Sequence, residues 1–236
     1  METGNPVTVS ILQSNYIPWK GYFDIIARSD YFVVYDLVQY TKNDWRNRNM
    51  IKTRNGLQWL TIPVRHQRLD QPICEVLATD NHWRRKHWKA LCQAYSKAPH
   101  FADFCDELQA LYLEEEELSL SKINRSFIDR VSEFLGLKTK IVDAAELSLA
   151  EGQTGRLVDI CQSLGAGRYL SGPAARSYLD QTMFSEAGIE IEWMDYSGYP
   201  EYEQLNPPFE HAVSIVDLLF NTGRRAQEYM LRNTYS

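Results

Sequence analysis

No run of this sequence is apolar for long enough to cross a bilayer, and the opening METGNPVTVS lacks a basic segment leading into an apolar core. A membrane span and an export signal are therefore not expected, and the expected location is cytoplasmic. Cysteine is scarce, with four residues at 74, 92, 105 and 161, no C-x-x-C pair and no Cys-His spacing of a zinc site. Neither a disulfide framework nor a metal cluster is indicated, which leaves reduced, mostly buried thiols. Positive charge is in deficit too: 25 Lys and Arg stand against 31 Asp and Glu, a net charge of -6. The surface as a whole is not drawn to nucleic acid or anionic lipid, so any anion binding has to be local. There is no internal repeat, and the one charge run, Glu114 to Glu117, reads as a solvated helix face.

What is present is enough apolar content, 44% of 236 residues, for one large core or a main domain with a small helical insert. VTVSIL (7–12) and YFVVYD (31–36) read as buried strands, and between them Tyr22, Phe23, Ile25 and Ile26 give a helix one apolar side. Strand, helix, strand is the βαβ pattern, whose ligands gather at the carboxyl ends of the strands. LQWLTIPV (57–64) predicts a third strand after the Asn55-Gly56 turn signal. From Trp83 to Gly136 the pattern is helical, and KIVD, RYLS and IEIEWMDY predict further strands around a helix that Thr154 caps and Gly165 ends. A last helix is expected from about Gly223. The fold class expected is α/β, a mainly parallel sheet with flanking helices and a helical insertion. The expected division is an N-terminal α/β part with ligand loops (1–82), the insertion (83–136) and a C-terminal α/β part (137–236) that completes a single domain.

Two stretches carry more chemistry than structure needs. QSNYIPW (13–19) packs two amides, a Tyr and a Trp into a loop where turn geometry asks only for Gly, Ser or Pro. Between Lys42 and Asn55 five basic residues (Lys42, Arg46, Arg48, Lys52, Arg54) face one acid, Asp44, so the segment is net +4 in a chain of net -6. Arg forks and Lys charges suit phosphate, the amides of Gln39, Asn43, Asn47 and Asn49 suit a sugar, and Trp45 or Tyr40 suits a flat face. Both stretches follow carboxyl ends of strands in the same βαβ unit, which predicts that they line one pocket.

QSNYIPWKGYFDII, VQYTKNDWRNRNMIK, WLTIPV, YLSGPAARSYLD and SIVDLLFNTG together resemble the WbqC-like protein family, from about residue 8 to about residue 225. The resemblance implies a cytoplasmic enzyme associated with surface-polysaccharide or similar biosynthesis. Its implied activity is transfer of an acyl or aminoacyl group, from the phosphopantetheine thioester of an acyl carrier protein, to the amine of an amino sugar or similar small molecule. It implies a site at Gln13, Asn15, Tyr16, Pro18, Trp19 and Tyr22, then at Gln39, Lys42, Asn43, Trp45, Asn47, Arg48 and Lys52. Ser14 stands where such families commonly show Pro. No cofactor or metal is implied, and neither a membrane nor nucleic acid is an expected partner.

Acyl transfer to an amine asks for a general base and for donors aimed at the developing oxyanion. Of the five His, His87 falls in a family-like stretch, WRRKHWKALCQAYSKAPHF, and is the expected base, with Asp36 as its orienting carboxylate or ammonium holder; a hydrogen-bonded core histidine is the competing reading. No Cys falls in the five motifs that carry the resemblance, so a covalent thioester on the protein is disfavoured. Ser171 and Gly172, in the turn LSGPAAR between a strand and a helix, are candidate phosphate holders, or merely a tight turn. The alternatives are a non-catalytic module for nucleotide-sugar or RNA, and a diverged nucleotidylyl-transferase-like enzyme. Against the latter, Lys20 and Tyr22 flank Gly21 where that chemistry uses His.

Overall fold

The computed structural model describes residues 5–147 and 152–230. Its framework is a five-stranded sheet built from β1 (Thr8–Leu12), β2 (Tyr31–Val34), β7 (Lys140–Asp143), β8 (Arg168–Ser171) and β9 (Glu190–Trp193). The spatial order is β7-β2-β1-β8-β9, and every pairing is parallel. Alternation along the strands explains why both faces are covered. Val9, Ile11, Val33, Tyr35 and Tyr169 point into one core, which includes Leu157 and Val158 of α5 (Gln153–Ser163) and Phe184 of α6 (Gln181–Glu186). Phe32, Val34 and Leu170 point into the opposite, larger core. Strands buried on both faces are what a parallel sheet between helices requires.

The larger core takes in α1 (Lys20–Ala27), α2 (His82–Tyr95), α3 (Phe101–Leu113), α4 (Leu120–Phe134) and α7 (Ile215–Thr222). α2 to α4 follow one another between Asn81 and Leu135, where the sequence predicts a helical insertion, and Gly136 takes the left-handed φ of +60° that a helix-terminating glycine supplies.

Two expectations are corrected and a third is sharpened. The strand expected at 57–64 is β4 (Gly56–Thr61), and it lies outside the main sheet, pairing antiparallel with β3 (Arg48–Thr53). The intervening Arg54-Asn55 turn is too short for a parallel crossover, and Gly56 takes φ +101° immediately after it. A second two-stranded ribbon joins β5 (Val64–Arg65) to β6 (Leu77–Ala78). Thr154 does not cap α5: Gly152 stands at the cap, and the Thr154 hydroxyl accepts from the Asp180 amide at 3.5 Å. Finally, the last helix, expected from about Gly223, is a 3-10 helix over Gly223–Tyr229, and Gly223 also closes α7.

Candidate functional site

Numbered among the parallel strands alone, the sheet order is 3-2-1-4-5, so the direction of winding reverses between β1 and β8. At such a switch point the loops leaving two neighbouring strands diverge and open a crevice. A cavity of about 820 Å³ lies there. Leu12, Gln13 and Asn15 leave β1 into it, Ser171 and Gly172 leave β8, and Gly152, Gln153 and Arg156 bring the start of α5 to its wall.

One charge organises the polar wall. Arg46 donates from Nη1 to Asn15 Oδ1 and from Nη2 to Gln13 Oε1, each at 3.0 Å, with Asp44 at 3.5 Å. Because the guanidinium takes both amide oxygens, Gln13 Nε2 and Asn15 Nδ2 have no hydrogen-bond partner among the described residues and stand as donors beside the cavity. Among the described residues the lining contains two Arg, 46 and 156, and no Asp, Glu or His. Trp19, Trp45 and Tyr196 supply aromatic surface, and burial holds the phenols of Tyr22, Tyr169 and Tyr196 above their ordinary range, so they are protonated donors at neutral pH.

The 13–19 loop is held in a conformation it would not adopt alone. Ile17 is β-branched, fully buried and at φ +36°, a genuine outlier for such a residue. Three anchors maintain it. Asn49 donates to the carbonyls of Tyr16 (3.1 Å) and Ile17 (2.9 Å), Ser214 Oγ donates to the Ile17 carbonyl (2.7 Å), and the Tyr16 amide donates to the Trp45 carbonyl (2.9 Å). The last bond ties the loop directly to the basic segment.

Of the expected site residues, the cleft wall gathers Gln13, Asn15, Trp19, Tyr22, Gln39, Trp45, Ser171 and Gly172. Pro18 lines a smaller cavity beside the cleft, and the others are scaffold or surface. Asn47 donates to the Ile62 carbonyl and Lys52 to Gln204 Oε1, both buried; Lys42 and Asn43 are exposed away from the wall. Arg48 lays its guanidinium 4.2 Å from the centre of the Trp59 ring. Tyr16 turns inward, its hydroxyl 2.8 Å from His87 Nδ1 and 2.6 Å from the Tyr112 hydroxyl.

The structure places His87 and Asp36, the residues expected to be catalytic, off the cleft wall. His87 is 7% exposed among Tyr16 and Trp83 and does not line the cleft. Burial pushes its pKa down to about 4, which makes it a neutral, weak base whose contact with Tyr16 braces the loop. Asp36 does not orient it. Its oxygens accept from the Ser14 amide (2.8 Å) and the Ser121 hydroxyl, and burial raises its pKa.

Arg46, Arg156 and Tyr196 are the wall residues that motif reading passes over. Arg46 carried a signal, its place in the basic segment. Arg156 and Tyr196 carried none, because they come to the wall from more than a hundred residues downstream of the loop they face.

Comparison with known proteins agrees with this picture at the level of family. The model of the WbqC-like protein family matches residues 13–229, and the chain belongs to that family. Uncharacterized protein Rv1507c of Mycobacterium tuberculosis (strain ATCC 25618 / H37Rv) is 50% identical over 223 residues, covering 94% of this chain and 96% of the relative. No solved structure matches.

Proposed function

We propose that this member of the WbqC-like family binds a nucleotide-activated amino sugar in the switch-point cleft and acylates its amine, taking the acyl group from a carrier-protein thioester. The observation that carries the reading is the Arg46 clamp: one guanidinium fixes Gln13 and Asn15 so that two amide N–H donors stand beside an Arg-bearing wall. Such a wall favours an anion, and cationic forks with aromatic faces suit a diphosphate and a base. The cavity, at about 820 Å³, is of the size that takes a ligand of this kind.

In the proposed reaction the amine nitrogen attacks the thioester carbonyl, a C–N bond forms, and the C–S bond breaks. The departing thiolate takes up the proton that the nitrogen loses, giving amide and thiol. Fixed N–H donors stabilise the oxyanion of the intermediate, a contribution on the order of 3 kcal/mol per donor in other acyl transfers. Among the described residues the wall holds no carboxylate or imidazole, and in this reading the amine enters as the free base. The rate is therefore expected to follow the substrate amine's own ionisation.

Calorimetric titration with uridine-diphosphate amino sugars, followed by intact-mass analysis after incubation with acylated carrier protein, tests the reading. Binding together with a gain of one acyl mass supports it. Binding without any mass gain leaves the module reading in its place, and failure to bind overturns both.

A further inference from the structure

Beyond the cleft lies a second chamber of about 340 Å³, lined by Asn15, Pro18, Trp19, Trp45, Asn49 and Ala212. Three of these, Asn15, Trp19 and Trp45, also line the main cleft, so the two spaces share a wall. Their chemistry differs. The cleft carries Arg46 and Arg156, whereas the chamber has no charged side chain among the described residues. Asn49 contributes little polarity to it, since its Nδ2 is spent on the Tyr16 and Ile17 carbonyls and its Oδ1 on the Met50 amide. What remains is two indoles, a proline ring and a methyl group, with the free Nδ2 of Asn15 at the boundary.

We propose that this chamber is the acyl subsite: it receives the apolar chain of the donor thioester and leaves the carbonyl at Asn15, where it meets the amine held in the cleft. The inference rests on the acyl-transfer reading above and adds the donor's chemical class, an aliphatic or aryl acyl chain of medium length in place of acetyl. Burying apolar chain against Trp19, Trp45 and Pro18 strengthens binding with each added methylene, so several methylenes separate long from short donors by more than about tenfold. Asn15 is doubly placed for the reaction. Arg46 fixes its oxygen at 3.0 Å, which aims the amide N–H instead of leaving it to rotate. In the transfer, the C–N bond forms at the carbonyl beside Asn15 as the C–S bond breaks, and the thiolate leaves protonated.

The two proposals fail separately under one set of measurements. The probes are non-hydrolysable amide analogues of octanoyl- and acetyl-pantetheine, titrated against wild type, Ala212→Trp and Trp45→Ala, with each variant's melting temperature recorded. Ala212 is exposed at the chamber, so a larger side chain there fills space without entering the core. Wild type is expected to bind the octanoyl analogue at least tenfold more tightly than the acetyl analogue, and Ala212→Trp is expected to erase that preference. Trp45→Ala should reduce it severalfold. No chain-length preference in wild type, or a preference that neither variant moves, overturns the subsite. Failure of wild type to bind uridine-diphosphate amino sugars, with the chain-length preference intact, overturns the cleft reading alone.

Discussion

The indole of Trp19 lies across the backbone of Gly21: a Cβ at residue 21 would stand 2.3 Å from Trp19 Cζ2 and 2.7 Å from Cε2 and Cη2. Gly21 therefore sets the position of a ring that forms wall in both the cleft and the chamber. Gly21→Ala has to displace the indole, at an overpacking cost of about 1–3 kcal/mol. Nucleotide-sugar affinity is expected to fall about tenfold or more. A titration showing wild-type affinity in G21A would mean that Trp19 contributes no wall to the bound state.

Arg46 and Arg48 stand two residues apart and should behave differently. Arg46→Ala removes the clamp on Gln13 and Asn15 and a cleft charge, so binding is expected to weaken by about 1.5–3 kcal/mol, roughly ten- to hundredfold in Kd. Arg48→Ala loses a stacking contact on Trp59 and no cleft contact, and its Kd should stay within about twofold of wild type. Equal losses in the two variants would contradict the placement of these side chains.

His87 makes a prediction about stability against pH. Its folded pKa of about 4 lies below the ordinary value of 6.5, so its neutral form is the one the fold accepts. The stability this provides is complete above about pH 6.5 and is lost as pH falls toward 4, amounting to roughly 2 kcal/mol between pH 7.5 and pH 5. Urea unfolding at both pH values should show this drop in wild type and a smaller one in His87→Gln, the difference between the two proteins isolating His87 from the buried carboxylates. Parallel pH dependences in the two proteins would show that His87 is not the titrating group.

Asn49 is the clamp whose loss should loosen the 13–19 loop. Asn49→Ala leaves the buried Tyr16 carbonyl without its donor, while the Ile17 carbonyl keeps Ser214. One unsatisfied buried acceptor costs about 1–3 kcal/mol, so the melting temperature should fall by several degrees. Relaxation of Ile17 from φ +36° would shift Asn15 and Trp19, and cleft affinity should fall along with stability. If affinity is unchanged at a temperature where N49A is fully folded, the strained loop is structural only.

The sequence by itself determined the layers. The apolar runs VTVSIL and YFVVYD read as buried strands, the 3.6-residue periodicity between Trp83 and Gly136 as helices, and amides and rings crowded into 13–19 marked a loop with more polar groups than a turn needs. Those signals are local, because they follow from the period with which a strand or helix buries its residues. Which polar residues line the cleft is settled by packing between distant segments. Arg46 precedes β3 and reaches back to Gln13 and Asn15, whereas Arg48 begins β3 and lies on Trp59 across the hairpin. His87, on a helix face with a family-like pattern, meets Tyr16 in the core and is neutralised by burial. Arg156 and Tyr196 reach the wall because β8 lies beside β1 and opens the crevice between their loops. Side-chain direction and pKa depend on what lies opposite, and what lies opposite is brought there by packing between residues far apart in the chain.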